Sequence, residues 1–330
     1  MYDVYGLGNA LVDTEYRIDD GFLEQHAIAK GHMTLVEEDR LETLAAALSS
    51  LTPERMSGGS AANSVIAAQG FGAATYYSCK VSDDATGKVF LSDLSDAGVH
   101  TNANAAAASG KSGRCLILVT RDAERSMNTF LGVSTQLSTS EIDEAALATA
   151  RYFYVEGYLS SSPESLAAAA ACRQLAEDQG VATAVSLSDP SMVEFFRANL
   201  ETILGNGVDH LFCNEEEALT WARTDRLDVA IAELKDIART CNVTLGSRGC
   251  LSVIDGQQRA VPGYSVTALD TNGAGDIYAG ACLYGWCRDM DPQQAASFGN
   301  YAAAALVQQY GARLKSMQAY QDVLEAFRAL

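Results

Sequence analysis

The chain has 330 residues, 48% of them hydrophobic. That is enough for a sizeable core in one large α/β domain, or in one large domain with a small one beside it, and it excludes the disordered class. With 23 basic and 42 acidic residues the formal charge is −19, which argues against nucleic acid and anionic membrane as partners but leaves room for a phosphorylated ligand held by local backbone donors or Mg²⁺. No apolar run approaches the ~20 residues that span a bilayer.

In chain order, Tyr2–Leu7 reads as a strand ending in a turn at Gly8-Asn9. Asp13 follows just past its carboxyl end, where open α/β sheets bind ligands. Thr14–Asp20 and Gly31–Leu35 read as short strands of an accessory sheet, separated by a turn-rich segment from Phe22 to Lys30. Glu37–Leu51, rich in Ala and Leu with interspersed charges, reads as a helix. Ser57-Gly58-Gly59-Ser60-Ala61-Ala62-Asn63 opens a small-residue helix. Gly58 and Gly59 let a ligand approach the backbone, and Asn63 offers both a donor and an acceptor. A plain turn explains the glycine pair equally well. Ala73–Cys79 reads as a strand and Lys88–Ala97 as a helix, and the small residues of Asn102–Gly110 suggest a flexible segment. Arg114–Thr120 and Arg125–Phe130 are strand-like on either side of a turn at Asp122-Ala123-Glu124. Arg125 can reach a phosphate from there, or be a solvated surface arginine.

The pattern then becomes regular. Strands are expected at Tyr152–Val155, Ala182–Leu187, His210–Cys213 and Asn242–Leu245, with helices at Ser140–Ala150, Pro163–Gln179, Met192–Ile203, Glu215–Thr220 and Leu227–Thr240. Such alternation predicts βαβ units and a mainly parallel sheet. A hairpin, Leu251–Asp255 with Arg259–Pro262, precedes two apolar helices, Ile277–Cys287 and Pro292–Tyr310, and a terminal one, Ser316–Leu330.

Asp270-Thr271-Asn272-Gly273-Ala274-Gly275-Asp276 stands immediately before the first of these helices. Glycines let successive N–H groups converge, and a helix start adds free donors and a positive dipole end. Asp276 beside such a nest suits a base that deprotonates a hydroxyl attacking a phosphoryl group. The bland alternative is a helix start capped by acidic residues. Asn214 and Glu217 form a capping pattern, which is a strong structural explanation for both; the functional reading is a Mg²⁺ site reached through water, since their oxygens suit a hard cation. Gly246-Ser247-Arg248-Gly249 ends a strand in a form compatible with nucleotide approach, and Ser188-Asp189-Pro190 reads as a turn and helix start. No Walker-type phosphate loop or complete dinucleotide fingerprint is present. Eight cysteines without a close Cys-x-x-Cys pair, four histidines without metal spacing and a first strand with no signal-peptide character make a reduced, cytoplasmic protein the expectation.

The segments Asp270–Asp276 and Ser57–Asn63 resemble the signatures of the ribokinase-type (PfkB) carbohydrate and nucleoside kinases, and the resemblance runs from Gly8-Asn9 to Gly311. It implies a three-layer α/β/α fold with a mainly parallel central sheet, one domain over residues 1–330, and a small β-sheet lid formed by roughly 14–35 and 113–130. Gly8–Asp13, Glu124-Arg125-Ser126, Val155–Leu159, Ser162–Ser165, Leu187-Ser188 and Leu211–Ala218 look closest to adenosine kinases. By that resemblance Asp276 takes the proton of a nucleoside 5′-hydroxyl, with adenosine the leading substrate. Gly273, Ala274 and Gly275 form the anion hole, and Arg125 comes over the phosphates as the lid closes. Asp13, Gly58, Gly59 and Asn63 bind the substrate, Asn214 and Glu217 organise Mg²⁺ and phosphate through water, and Ser247, Gly249 and Asn300 flank ATP. The implied cofactors are ATP and Mg²⁺, with a monovalent cation such as K⁺ as a further one, in a monomer or homodimer. Asn128–Val133 and Asp189-Pro190 depart from the adenosine-kinase pattern, so a ribokinase- or fructokinase-like sugar kinase is the alternative in the same class. A non-catalytic sugar- or nucleotide-binding protein on the same fold is the alternative in another.

Overall fold

The computed structural model describes residues 1–101, 109–122, 124–254 and 256–330. The expected flexible stretch within Asn102–Gly110, the centre of the turn at Ala123 and the hairpin end at Asp255 therefore lie outside the described residues, wholly or in part. Fourteen strands occur among them: β1 Tyr2–Leu7, β2 Leu11–Arg17, β3 Met33–Leu35, β4 Glu54–Gly58, β5 Thr75–Ser78, β6 His100–Thr101, β7 Gly113–Val119, β8 Arg125–Phe130, β9 Ala150–Glu156, β10 Ala182–Ser186, β11 Val208–Asn214, β12 Ala238–Thr244, β13 Cys250–Ile254 and β14 Gln257–Val261.

Nine of them make one sheet in the order β14-β13-β12-β11-β10-β9-β1-β5-β6. All its pairings are parallel except β12–β13 and β13–β14. Its central strands are apolar on both faces, as a sheet covered by helices on each side requires. Val4, Tyr77, Tyr154, Ala184 and Phe212 pack on one face against the helices Ser60–Phe71, Ala274–Cys287, Pro292–Leu306 and Met317–Arg328. The neighbouring Tyr5, Tyr76, Val155, Val185 and Leu211 pack on the other against Pro163–Asp178, Pro190–Leu204, Glu215–Ala222 and Leu227–Leu234. The three-layer α/β/α architecture follows from this period-2 alternation.

The other five strands form a smaller mixed sheet, β3-β8-β7-β2-β4. One face, with Tyr16, Leu116 and Leu118, is covered by Leu23 and by Leu41, Leu44 and Leu48 of the Glu38–Ala47 helix and its end. The other carries Cys115, Ile117, Val119 and Met127. The chain enters this sheet from β1 through Gly8–Ala10 and leaves it from β4 through Gly59.

Several local expectations are corrected. Asp13 lies inside β2 of the small sheet, not at the end of the first strand. Ser57 and Gly58 belong to β4, because pairing with Val12 and Leu11 captures them. The segment after Asp19 is a short helix, Asp20–Gln25, capped by the Asp19 side chain on the Phe22 N–H. The helix expected over Leu227–Thr240 stops at Leu234, and β12 begins at Ala238, in register with β11. Among the described residues no helix is long and apolar enough to cross a membrane, and all eight cysteines are buried and outside any disulfide.

Candidate active site

A cavity of about 450 Å³ lies between the carboxyl ends of the central strands and the small sheet. Its floor includes Glu156, Ser186, Asn214 and Thr244, which end β9, β10, β11 and β12. Parallel strands place their carboxyl ends and the following helix N-termini on one side, so polar groups collect there.

The Thr271–Asp276 turn forms one wall. Gly273 sits at φ +73°, the left-handed region, and starts the helix without a side-chain cap. The Ala274 N–H bonds to the Thr271 carbonyl at 3.2 Å, and Ile277 bonds back to Gly273 at 2.9 Å. The Gly273, Gly275 and Asp276 N–H groups make no hydrogen bond to the protein among the described residues, as expected at a helix start. Of the residues expected to form an anion hole, Ala274 has its N–H engaged by Thr271, and Gly273 sets the turn beside the Gly275 and Asp276 N–H groups.

Asp276 accepts from Ser60 Oγ at 2.7 Å and Asn63 Nδ2 at 3.0 Å. It is half-buried in the cavity wall, where burial pushes its carboxyl up to about 6 against the pull of these two bonds. A carboxylate held near neutrality in this way suits a general base. Asn63 Oδ1 is buried without a partner among the described residues, an acceptor available to a ligand O–H.

Asp13 faces the cavity from β2, opposite Cys115 and Met56. Burial pushes its carboxyl up to about 7, opposed mainly by the Arg313 cation. Gly58 makes room for it: a Cβ there would stand 2.2 Å from the Asp13 carboxylate. Gly59 lines the cavity at φ +100°.

Asn214 and Glu217 also line the cavity, locked to each other in a capping box. Glu217 Oε2 accepts from the Asn214 N–H at 3.1 Å, and Asn214 Oδ1 accepts from the Glu217 N–H at 2.8 Å. The capping and ligand readings therefore both describe these residues. Burial, with the charges of Asp189, Glu216 and Asp276, pushes Glu217 up to about 8. Its carboxyl and the Asn214 amide supply oxygen donors of the kind Mg²⁺ takes. No group of three His, Cys, Asp or Glu among the described residues forms a metal cage; Glu217 and Asn214 could meet, through water, a Mg²⁺ held mainly by phosphate oxygens.

Five predicted residues, Gly58, Arg125, Ser247, Gly249 and Asn300, lie outside the cavity lining. Arg125 is held by carboxylates: its Nε donates to Asp270 Oδ1 at 2.7 Å, its Nη2 pairs with Asp270 Oδ2, and its Nη1 donates to Glu15 at 2.9 Å. Asp270 also accepts the Gly311 and Asn272 N–H groups. Asn300 donates to the carbonyls of Val261 and Pro262, both at 3.1 Å. It thereby holds the segment against which Gly249 packs, where a Cβ would come within 2.2 Å of Val261 O. Ser247 is exposed on the turn whose Gly246 does line the cavity.

Sequence reasoning missed Ser60, Asn9, Glu156, Tyr158 and the apolar roof of Leu11, Met33, Leu35, Cys115, Ile117 and Met127. Glu156 had a signal, an acidic residue ending the apolar run Tyr152–Val155. The roof had none, since its members come from four strands spread from Leu11 to Met127.

A profile described as pfkB family carbohydrate kinase matches residues 39–319. The chain belongs to this family. Its members are ATP-dependent kinases of small sugars or nucleosides, and that general activity extends to this pfkB chain. The crystal structure of adenosine kinase from Sinorhizobium meliloti is 33% identical over 100% of this chain and 99% of that one, with a TM-score of 0.91. A probable sugar kinase from Rhizobium etli is 29% identical over 100% and 99%, with a TM-score of 0.92. Adenosine kinase 2 of Arabidopsis thaliana is 27% identical over 93% of this chain and 94% of its own length. The family fold is the one observed, a large mainly parallel sheet with a smaller mixed sheet beside it.

Proposed function

We propose that this pfkB-family kinase transfers the γ-phosphoryl group of ATP to the 5′-hydroxyl of a nucleoside, with adenosine the leading acceptor. The observation that carries the choice of acceptor is the two-sided cavity. Asp13, Asn63 and Asp276 gather at its polar end, while Leu11, Met33, Leu35, Cys115, Ile117 and Met127 roof it with apolar side chains. A free sugar leaves that roof against water; a nucleoside base covers it.

In this reading Asp276 takes the proton of the attacking hydroxyl, Asp13 and the unpartnered Asn63 Oδ1 hold ribose hydroxyls, and the Gly275 and Asp276 N–H groups receive the transferring phosphoryl charge. Mg²⁺, when bound, neutralises phosphate charge beside Glu217 and Asn214. The small sheet acts as a lid that excludes water as a competing acceptor. Names of relatives point the same way, since two of the three similar proteins above are adenosine kinases. An ADP-release assay with ATP across adenosine, inosine, ribose and fructose tests the proposal. Adenosine should have the highest kcat/KM; a free sugar exceeding every nucleoside by ~100-fold, about 2.7 kcal/mol, would overturn it.

A further inference from the structure

Glu156 ends β9 with no exposed surface, yet it borders the cavity. Its Oε1 accepts from the Asn9 N–H at 2.8 Å and from Asn9 Nδ2 at 2.9 Å, and its Oε2 accepts from the Ala61 N–H at 2.6 Å. Asn9 lies in the link by which the chain passes from the central sheet into the small one. Ala61 lies just past Gly59, where it returns. One carboxylate therefore ties the first entry into the small sheet to the first return from it. The surrounding residues make space for it and brace it: a Cβ on Gly8 would stand 2.9 Å from the Glu156 carboxyl carbon, Tyr77 OH donates to Asn9 O at 2.9 Å, and the Ala10 N–H donates to Ser134 Oγ at 3.0 Å.

The carboxylate also decides how Asn9 is oriented. Glu156 Oε1 already accepts the Asn9 N–H, and the Asn9 amide turns its nitrogen to the same oxygen. Its Oδ1 is then the group that Asn9, a cavity-lining residue, has left to offer. We propose that Glu156 is a positioning residue that joins these two crossings and sets Asn9 Oδ1 to accept an O–H or N–H of the acceptor substrate. The kinetic part of this rests on the kinase reading above; the structural part does not.

Burial pushes the Glu156 carboxyl up to about 7 against its three hydrogen bonds, a cost that a purely structural site meets more cheaply with a neutral residue.

Glu156→Gln and Asn9→Ala test this. A glutamine oxygen can serve the two Asn9 donors, but its NH₂ then faces the Ala61 N–H, or the reverse. Amide hydrogen exchange, measured without ATP or acceptor, should therefore speed up at least tenfold at one crossing in Glu156→Gln and not in Asn9→Ala, which keeps its backbone bond. Asn9→Ala should raise KM for the preferred acceptor about five- to tenfold, one lost hydrogen bond, with kcat within threefold. Unchanged exchange in Glu156→Gln overturns the joining role whatever the acceptor is. An unchanged KM in Asn9→Ala, or a loss confined to kcat, overturns the reading of Asn9. If Glu156→Gln does not fold, the Asn9→Ala kinetics alone decide the second role. Failure of every acceptor with normal exchange changes in Glu156→Gln would instead sink the kinase reading.

Discussion

Gly275→Ala and Gly273→Ala add the same methyl group two residues apart, with opposite expected consequences. At Gly273 the backbone is left-handed, and a Cβ would come within 2.2 Å of Ala312 O and 2.7 Å of Ala312 Cα. The left-handed conformation costs a side chain ~1–2 kcal/mol, and a backbone neighbour cannot rotate away. We expect Gly273→Ala to lose ~2–4 kcal/mol of stability, a range typical of strained core changes. At Gly275 φ is not positive, and a Cβ would meet nothing within 4 Å. Alanine should there leave stability unchanged or raise it by up to ~1 kcal/mol, since glycine disfavours helices. The methyl would instead fill the space into which the nest's open N–H groups point. Displacing a transferring oxygen from one such donor costs ~10²–10³ in kcat, about 2.7–4 kcal/mol. Urea unfolding and steady-state ADP release on the two variants check both halves. A Gly275→Ala enzyme with kcat within threefold of the parent would refute the idea that phosphoryl charge settles on this turn.

Other expectations follow from the same side chains. Asp276→Asn should lower kcat by ~10³ or more while adenosine binding by calorimetry stays within about threefold; near-parental turnover would remove Asp276 from the chemistry. Because burial sets the Asp276 carboxyl at about 6, kcat at saturating acceptor should fall tenfold per unit well below pH 6. Asp13, raised from 3.8 to about 7, stabilises the fold below its unfolded value, and that stability is lost as pH rises through 7. Asp13→Asn should therefore raise the unliganded protein's unfolding free energy at pH 8 by ~1–3 kcal/mol and little at pH 4, while weakening acceptor binding. Arg125→Ala leaves the Asp270 carboxylate, whose side chain is 2% exposed, without its guanidinium. That should cost ~3–5 kcal/mol of stability without any ligand; an unchanged denaturation midpoint would return Arg125 to a role facing phosphate alone.

The parts of the fold legible in the sequence were those with local causes. Pro163–Asp178 and Pro292–Leu306 announce themselves by a proline in the first turn and a long small-residue pattern. The Gly273–Asp276 turn is legible because three small residues between polar ones have few other uses. Illegible features depend on partners far along the chain. Asp13 enters a strand because β4 and β7 pair with it from more than 40 and 100 residues away. Arg125 meets Asp270 across 145 positions, a partnership that no local pattern around Glu124-Arg125-Ser126 encodes. Leu227–Thr240 reads as one helix because its apolar residues keep helical spacing to Ile237, whereas the pairing of β12 with β11 recruits Ala238–Thr244.

Where the new phosphate sits on the acceptor tests the central claim most directly. After incubation with ATP, Mg²⁺ and adenosine, the ³¹P spectrum of the product should show a monoester coupled to the two protons of the 5′ methylene. A phosphate coupled to a single ring proton, or transfer to free sugars with adenosine left untouched, would contradict the account.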